Sequence, residues 1–422
     1  MGSRTTKGPT PSKRKAAHKP SSFEGESNAI LDELRARLGD VLEPALGGVD
    51  RGATDWARAL GVDTKLAWKL THLLDPSGDL SSLQFVPGRQ AFDQILAAAE
   101  KRGAESGACQ AARDSFTRYE SVVRKHAGSR KSFDVLVTSQ APRGRSRAEV
   151  NLRRSAVEAN ASLLGVRAKA QVAIYGFAPN EDGENFDLIG VRKIEGMERM
   201  RPNVNWRIAR SFRTDDDGAP VPDGPVPLGR APKSKALAGL AVVPEFSTSP
   251  LPDLARVETP SSTAEFEMRG GEVGASARFD LTTAELFRPG ETRYADGPGT
   301  ERARVFAGVR VPCDLLYVDL VVHRELFEST RPSVNVVSTL HTGMALEFRT
   351  PDELPIEPEF VPLGRGLERV ADPERPTHAE LVQWALAQAG WDSEEFDCYR
   401  LRLTYPPLPS AVSLDWVRPK RP

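Results

Sequence analysis

The chain has 422 residues, a formal net charge of −1 and 39% hydrophobic residues, enough for two or three globular domains with substantial cores. No apolar run approaches the roughly 18 residues of a membrane-spanning helix, and no signal-peptide-like segment follows the start. The three cysteines, Cys109, Cys313 and Cys398, are odd in number and far apart, which argues against a disulfide framework and fits a reducing cytoplasm.

The small net charge hides a polarity. Residues 1–154 carry 26 Lys/Arg against 18 Asp/Glu, and the remainder 31 against 40, so one part is near +8 and the other near −9. Such a separation is expected when one end of a protein meets phosphate and the other does not. Arg4, Lys7, Lys13, Arg14, Lys15 and Lys19 have no acidic neighbour and lie among Pro, Ser, Thr and Gly. Residues 1–26 therefore read as a disordered basic tail, either an arm adding phosphate contacts or a solubilising segment.

Residues 27–130 read as a helical domain. Asn28 to Leu42 places Ile30, Leu31, Leu34, Leu38 and Val41 on one helical stripe. From Ala53 to Leu74 the chain reads ATDWARALGVDTKLAWKLTHLL, two short helices joined by a tight turn at Gly61-Val62. Ala57 is small where a bulky side chain would push the helices apart. Gly61 supplies the left-handed conformation the turn needs, and Asp63 is placed as N-cap of the second helix. Leu66, Ala67, Leu70, Leu73 and Leu74 recur at three- and four-residue steps as its buried face. Thr64, Lys65, Trp68, Lys69 and His72 lie on the other. A short wing strand is expected at Leu83 to Val86, then helices at Gln90 to Arg102 and Glu105 to His126.

This stretch resembles the helix-turn-helix superfamily of DNA-binding proteins over residues 53–74. The resemblance implies that the second helix enters the major groove of double-stranded DNA. Thr64, Lys65 and Lys69 would contact base edges and phosphates there, with Trp68 and His72 flanking. Ala67 departs from the pattern, being smaller than the branched residue usual at that position. An αα-hairpin with a merely solvated cationic face is the competing reading, in which Trp68 and His72 are packing residues.

Residues 131–213 read as the first half of an α/β region. Ser132 to Ser139 (SFDVLVTS) is expected to be a strand, followed by a basic helix from Arg145 to Leu164 with Arg147, Arg153 and Arg154. Val166, Ala168, Ala170, Val172 and Ile174 alternate as in a half-buried strand. Phe186 to Ile194 and Asn205 to Phe212 continue the strands, and residues 214–253 read as a Pro/Gly-rich linker or loop. Residues 254–422 read as a strand-rich second half, with runs at Ala264 to Met268, Ala275 to Leu281, Ala303 to Val311, Leu315 to Val322, Val334 to Val337 and Ala345 to Phe348. A helix is expected from His378 to Ala389 between Thr377 and Gly390, then a strand at Tyr399 to Thr404 and a proline-rich tail.

Four sequence pairs recur in the same order: Gly165 to Arg167 with Gly308 to Arg310, Arg201 to Asn205 with Arg331 to Asn335, Val226 to Arg230 with Val361 to Arg365, and Leu254 to Val257 with Leu367 to Val370. They suggest two related halves. The fold class expected is α+β multidomain, a mostly α helix-turn-helix domain followed by a strand-rich mixed α/β region.

Catalytic signatures are absent: no phosphate-cradling loop ending in Gly-Lys-Ser/Thr, no Gly-x-Ser-x-Gly elbow, no His-Glu-x-x-His helix and no Cys-x-x-Cys pair. The strongest polar constellation is Cys313, Asp314, Asp319, His323 and Glu325, with His341 beyond. It reads either as a thiolate–imidazole pair or as a buried strand cysteine beside a surface histidine. Asp215-Asp216-Asp217 reads as a solvated loop in preference to a cation site. No cofactor or metal is implied. The function expected is a cytoplasmic DNA-binding transcriptional regulator, a homodimer with a C-terminal region that senses a small-molecule effector or oligomerises. The alternative is an assembly or structural protein, of mobile-element origin, whose helical domain makes protein contacts; an enzymatic C-terminal region is a third option.

Overall fold

A computed structural model describes residues 22–47, 52–139, 147–211, 225–228, 239–258, 264–297, 300–340 and 352–421. The chain divides into two compact units, Met1–Pro142 and Arg143–Pro422. The first is helical and the second strand-rich, an α+β multidomain arrangement. Among the described residues, no helix is long and apolar enough to cross a membrane.

The first unit contains α1 (Ser22–Leu46), α2 (Ala53–Leu60), α3 (Thr64–Leu73), a 3-10 turn (Leu80–Phe85), α4 (Arg89–Glu100), α5 (Ser106–Ala127) and α6 (Arg130–Ser139). One core unites them. Leu34 and Leu38 of α1, Leu70 and Leu73 of α3, Ile95 and Leu96 of α4 and Phe133 of α6 are fully buried in it. Two local expectations are corrected here. Leu83 and Phe85 belong to the 3-10 turn, not a wing strand. Ser132 to Ser139 belongs to helix α6, because Phe133 and Val137 are one helical turn apart and both buried, while Val135 between them is 45% exposed. A strand would have put all three on one face. The helical unit therefore runs past residue 130.

The second unit begins with α7 (Arg147–Leu164), followed by β1 (Val166–Pro179), β2 (Asn185–Arg199), β3 (Trp206–Ser211), β4 (Val226–Pro227), β5 (Leu254–Glu258), β6 (Ala264–Met268) and β7 (Phe279–Thr292). Next come β8 (Arg302–Gly308), β9 (Cys313–His323), β10 (Ser333–Ser338), β11 (Glu359–Arg365), α8 (His378–Ala389), β12 (Phe396–Thr404) and β13 (Ser410–Val417). Seven strands form one sheet in the order β11-β12-β9-β1-β2-β7-β4, and two three-stranded sheets have the orders β10-β13-β8 and β3-β6-β5. Within the large sheet only the central pair β1–β9 is parallel. The small sheets share one core with one face of it, through Phe266, Val336, Leu414 and Trp416, and α8 covers the other with Val382, Ala385 and Leu386. β1 is consequently buried on both faces instead of being half-buried: Tyr175 and Phe177 point one way and Ile174 the other. Residue 176 is glycine because Trp391 lies against it, and an added Cβ would sit 2.9 Å from the indole.

Further corrections follow from this topology. Val226-Pro227 pairs with β7, and Val242 and Val243 are buried against the same strand, so residues 214–253 are not simply a linker. Ala275–Ala277 is a 3-10 turn ahead of β7. The tail after Thr404 contains β13, the central strand of its sheet. Ala345 to Phe348, His341 and Asp215 to Asp217 lie outside the described residues. Two of the four recurring sequence pairs fall in different settings: Gly165 to Arg167 opens β1 whereas Gly308 closes β8, and Leu254 to Val257 lies in β5 whereas Leu367–Val370 is a 3-10 turn.

Leu70 is fully buried at the centre of the first core. Leu70→Ala is expected to destabilise that unit by about 2–5 kcal/mol, read as a shift in its urea unfolding transition.

Candidate nucleic-acid interface

The turn between α2 and α3 is built from backbone requirements. Gly61 adopts φ 64°, ψ 34° at the C-terminus of α2, and the Val62 N–H donates to the Ala57 carbonyl at 3.1 Å, closing the helix as a left-handed cap does. Two residues later the Asp63 carboxylate accepts from the Lys65 N–H at 2.7 Å, satisfying one of the orphan donors at the start of α3. Ala57 is buried, with Trp56 and Leu60, against the core. The far end of α3 is held by a residue the sequence patterns did not single out. Arg35 of α1 donates from Nε to the Leu73 carbonyl (2.8 Å) and from Nη2 to the Gly78 carbonyl (3.0 Å) and Ser82 Oγ (3.2 Å). An arginine on an apolar helical stripe, next to Leu34, was its only signal.

The five expected site residues all lie on the side of α3 away from the core. Ala67, Leu70 and Leu73 form the buried face, with Leu66 and Leu74 only partly buried. Thr64 and Lys65 are exposed and Lys69 is half-exposed. Among the described residues neither lysine has a carboxylate partner, whereas Arg89, Arg113, Arg118, Lys125 and Arg130 of the same unit each do. Trp68 and His72 are differently placed. Their ring centroids are 4.0 Å apart, and Phe85 meets both edgewise at 5.3 and 5.2 Å. His72 Nδ1 lies 2.9 Å from the Trp68 carbonyl, so that nitrogen carries the proton and donates. The two rings are thus fixed to each other and to the 3-10 turn, although Trp68 remains 43% exposed. Behind α3, a groove of about 800 Å³ is lined by Leu42, Leu46, Trp56, His72 and Leu74.

The polar constellation on β9 is not brought together. Cys313 and His323 occupy opposite ends of the strand, about 33 Å apart at the rise of a β-strand, which rules out a thiolate–imidazole pair. Burial pushes the Cys313 thiol up to about 12, away from nucleophilic character. His323 is buried, not at the surface, and faces the Glu395 carboxylate at 2.9 Å. Asp314 pairs with Arg167 at 2.6 Å. Asp319, fully buried in the sheet, receives two hydrogen bonds from Arg400 (2.9 and 2.8 Å) and faces His378 Nε2 at 2.7 Å. Arg400 also stacks on Tyr317, whose hydroxyl donates to Asp372 at 2.9 Å, and whose own ionisation burial suppresses. Asp314, Asp319 and Asp372 are consumed by internal partners, and Glu325 lies exposed just past the end of β9. Among the described residues no group of three His, Cys, Asp or Glu side chains is arranged to hold a metal ion.

No protein-family model matches this chain, and no curated protein matches its sequence.

Two substitutions check this account. Asp63→Ala removes the N-cap and is expected to cost the first unit about 1 kcal/mol, measured by urea denaturation. Asp319→Ala leaves Arg400 buried beside His378 with no carboxylate between them. It is expected to cost the second unit about 3–5 kcal/mol, seen as loss of its thermal transition to a lower temperature.

Proposed function

We propose that the first unit binds double-stranded DNA through α3, and that the protein is a DNA-binding regulator whose second unit serves effector sensing or oligomerisation. One observation carries the reading. A glycine-turned helix pair buries one face of α3 and turns Thr64, Lys65 and Lys69 outward, with neither lysine neutralised by a carboxylate among the described residues. Residues near the start of such a helix are those that reach base edges, which assigns that role to Thr64 and Lys65 and a phosphate contact to Lys69. Trp68 and His72 flank this patch as a fixed aromatic ledge. The small positive excess of residues 1–142, 21 Lys/Arg against 17 Asp/Glu, comes from the six cations between Arg4 and Lys19, which would add phosphate contacts beside α3. On this proposal the protein works as a homodimer in the cytoplasm, matching two half-sites a helical turn apart.

The exposed Trp68–His72–Phe85 ledge favours the competing reading, a protein-docking surface in an assembly protein. Titration of the full chain with random duplex DNA by fluorescence anisotropy separates the two. Binding that weakens steeply with salt is expected. Lys65→Ala with Lys69→Ala is expected to weaken binding and, through loss of the Lys69 phosphate contact, to reduce the slope of log affinity against log salt by about 1, and to leave the unfolding transition in place. Absence of binding at low salt, or an unchanged affinity in the double variant, would transfer α3 to the docking reading.

A further inference from the structure

Helix α7 uses only one narrow edge to join the second unit. Val157 and Ala161 are each 1% exposed, and the helix packs on β1 and β9. The opposite side carries an apolar stripe at steps of four, three and four residues: Leu152, Ala156, Ala159 and Leu163. All four are exposed, Leu163 to 71% and Leu152 to 48%. Just beyond the end of α7, Met200 is 45% exposed, and its N–H donates to the Gly165 carbonyl at 2.8 Å. An exposed seam with this spacing is what one helix presents to another.

We propose that α7 is a homodimerisation helix that packs antiparallel against α7 of a second copy across a two-fold axis. The order Leu–Ala–Ala–Leu with steps of four, three and four reads the same in both directions. Antiparallel pairing about its midpoint sets Leu152 of one copy against Leu163 of the other, and Ala156 against Ala159. The two alanines at the crossing let the backbones approach closely, and the leucines fill the space on either side. A two-fold interface requires this self-complementarity, and an unrelated partner does not. Charge agrees with it. The flanking positions Ser155, Asn160 and Ser162 are uncharged. Glu149, on the same side, is already paired within α7 to Arg153 at 3.2 Å, so it adds no unpaired charge to the seam, and the two helix dipoles oppose favourably. A pair of 18-residue helices, each about 27 Å long, lies toward the lower end of specific interfaces. The dimer is therefore reversible and concentration-dependent.

This inference does not rest on DNA binding, and its test contains no DNA. In sedimentation equilibrium of the full chain, the mass is expected to rise with concentration from 46.1 kDa toward twice that value. Leu163→Glu and, separately, Ala156→Arg are expected to weaken association at least about tenfold with an unchanged thermal transition, since both positions face solvent in the single chain. Orientation is read by disulfide trapping. An Ala156→Cys chain mixed with a differently tagged Ala159→Cys chain is expected to give mainly the mixed disulfide, the native cysteines being buried. A monomer at every concentration, a dimer indifferent to both charged substitutions, or a preponderance of like-with-like disulfides would each overturn the proposal.

Discussion

Helix α3 has ten residues, too few to persist in water on propensity alone, and whatever it does depends on how it is held. Three devices hold it. Asp63 caps its beginning, Ala67, Leu70 and Leu73 anchor its inner face, and the Arg35 guanidinium binds the Leu73 carbonyl at its end. None of the three uses the outer face. The same arginine also binds the Gly78 carbonyl and Ser82 Oγ, so the loop and 3-10 turn after α3 are fixed together with it. This is why Phe85 can meet Trp68 and His72 edge-on. The aromatic ledge is thus a consequence of how the end of α3 is tied down.

Much of the helical unit was legible in the sequence because its signals are local. A glycine followed two residues later by an aspartate, then leucines at helical spacing, specifies both the turn and the cap. The boundaries of α4 and α5 follow equally from their apolar periodicity. The failure at residues 132–139 is instructive because the pattern there satisfies two periods at once. Phe133, Val135 and Val137 alternate as in a strand, while Phe133 and Val137 alone are also a helical pair. The tertiary environment chose the helical option: Phe133 meets Phe23 and Tyr119 edge-on, Val137 joins the same core, and Val135 is left to solvent. Arg35 was invisible for the opposite reason. Its partners lie 38, 43 and 47 residues away, and no local pattern encodes them.

In the strand-rich unit the sequence reading weakened wherever burial was two-sided. A strand with one wet face alternates, but β1 and β9 lie at the centre of a seven-stranded sheet with cores on both sides, and alternation is lost. β13 was missed because it carries Ser413 and Asp415, which look like surface residues. In the fold both are buried, Asp415 paired with Arg304 and bonded by Ser413 Oγ. Of the strings behind the suggested duplication, two pairs lie in different structural settings, whereas Val226-Pro227 and Val361 to Arg365 both lie in strands. Asp319 shows the same limit at the level of chemistry. Its position beside Cys313 and His323 in sequence suggested a site. Its partners Arg400 and His378 come from other elements, and they make it a buried ionic anchor between β9, β12 and the start of α8.

The two outward-facing helical surfaces differ in a way that bears on their roles. The face of α3 is polar and cationic, with its aromatic rings fastened to one another, and such a surface gains little from excluding water but much from meeting opposite charge. The face of α7 is apolar, its flanks are uncharged, and it gains only from being covered.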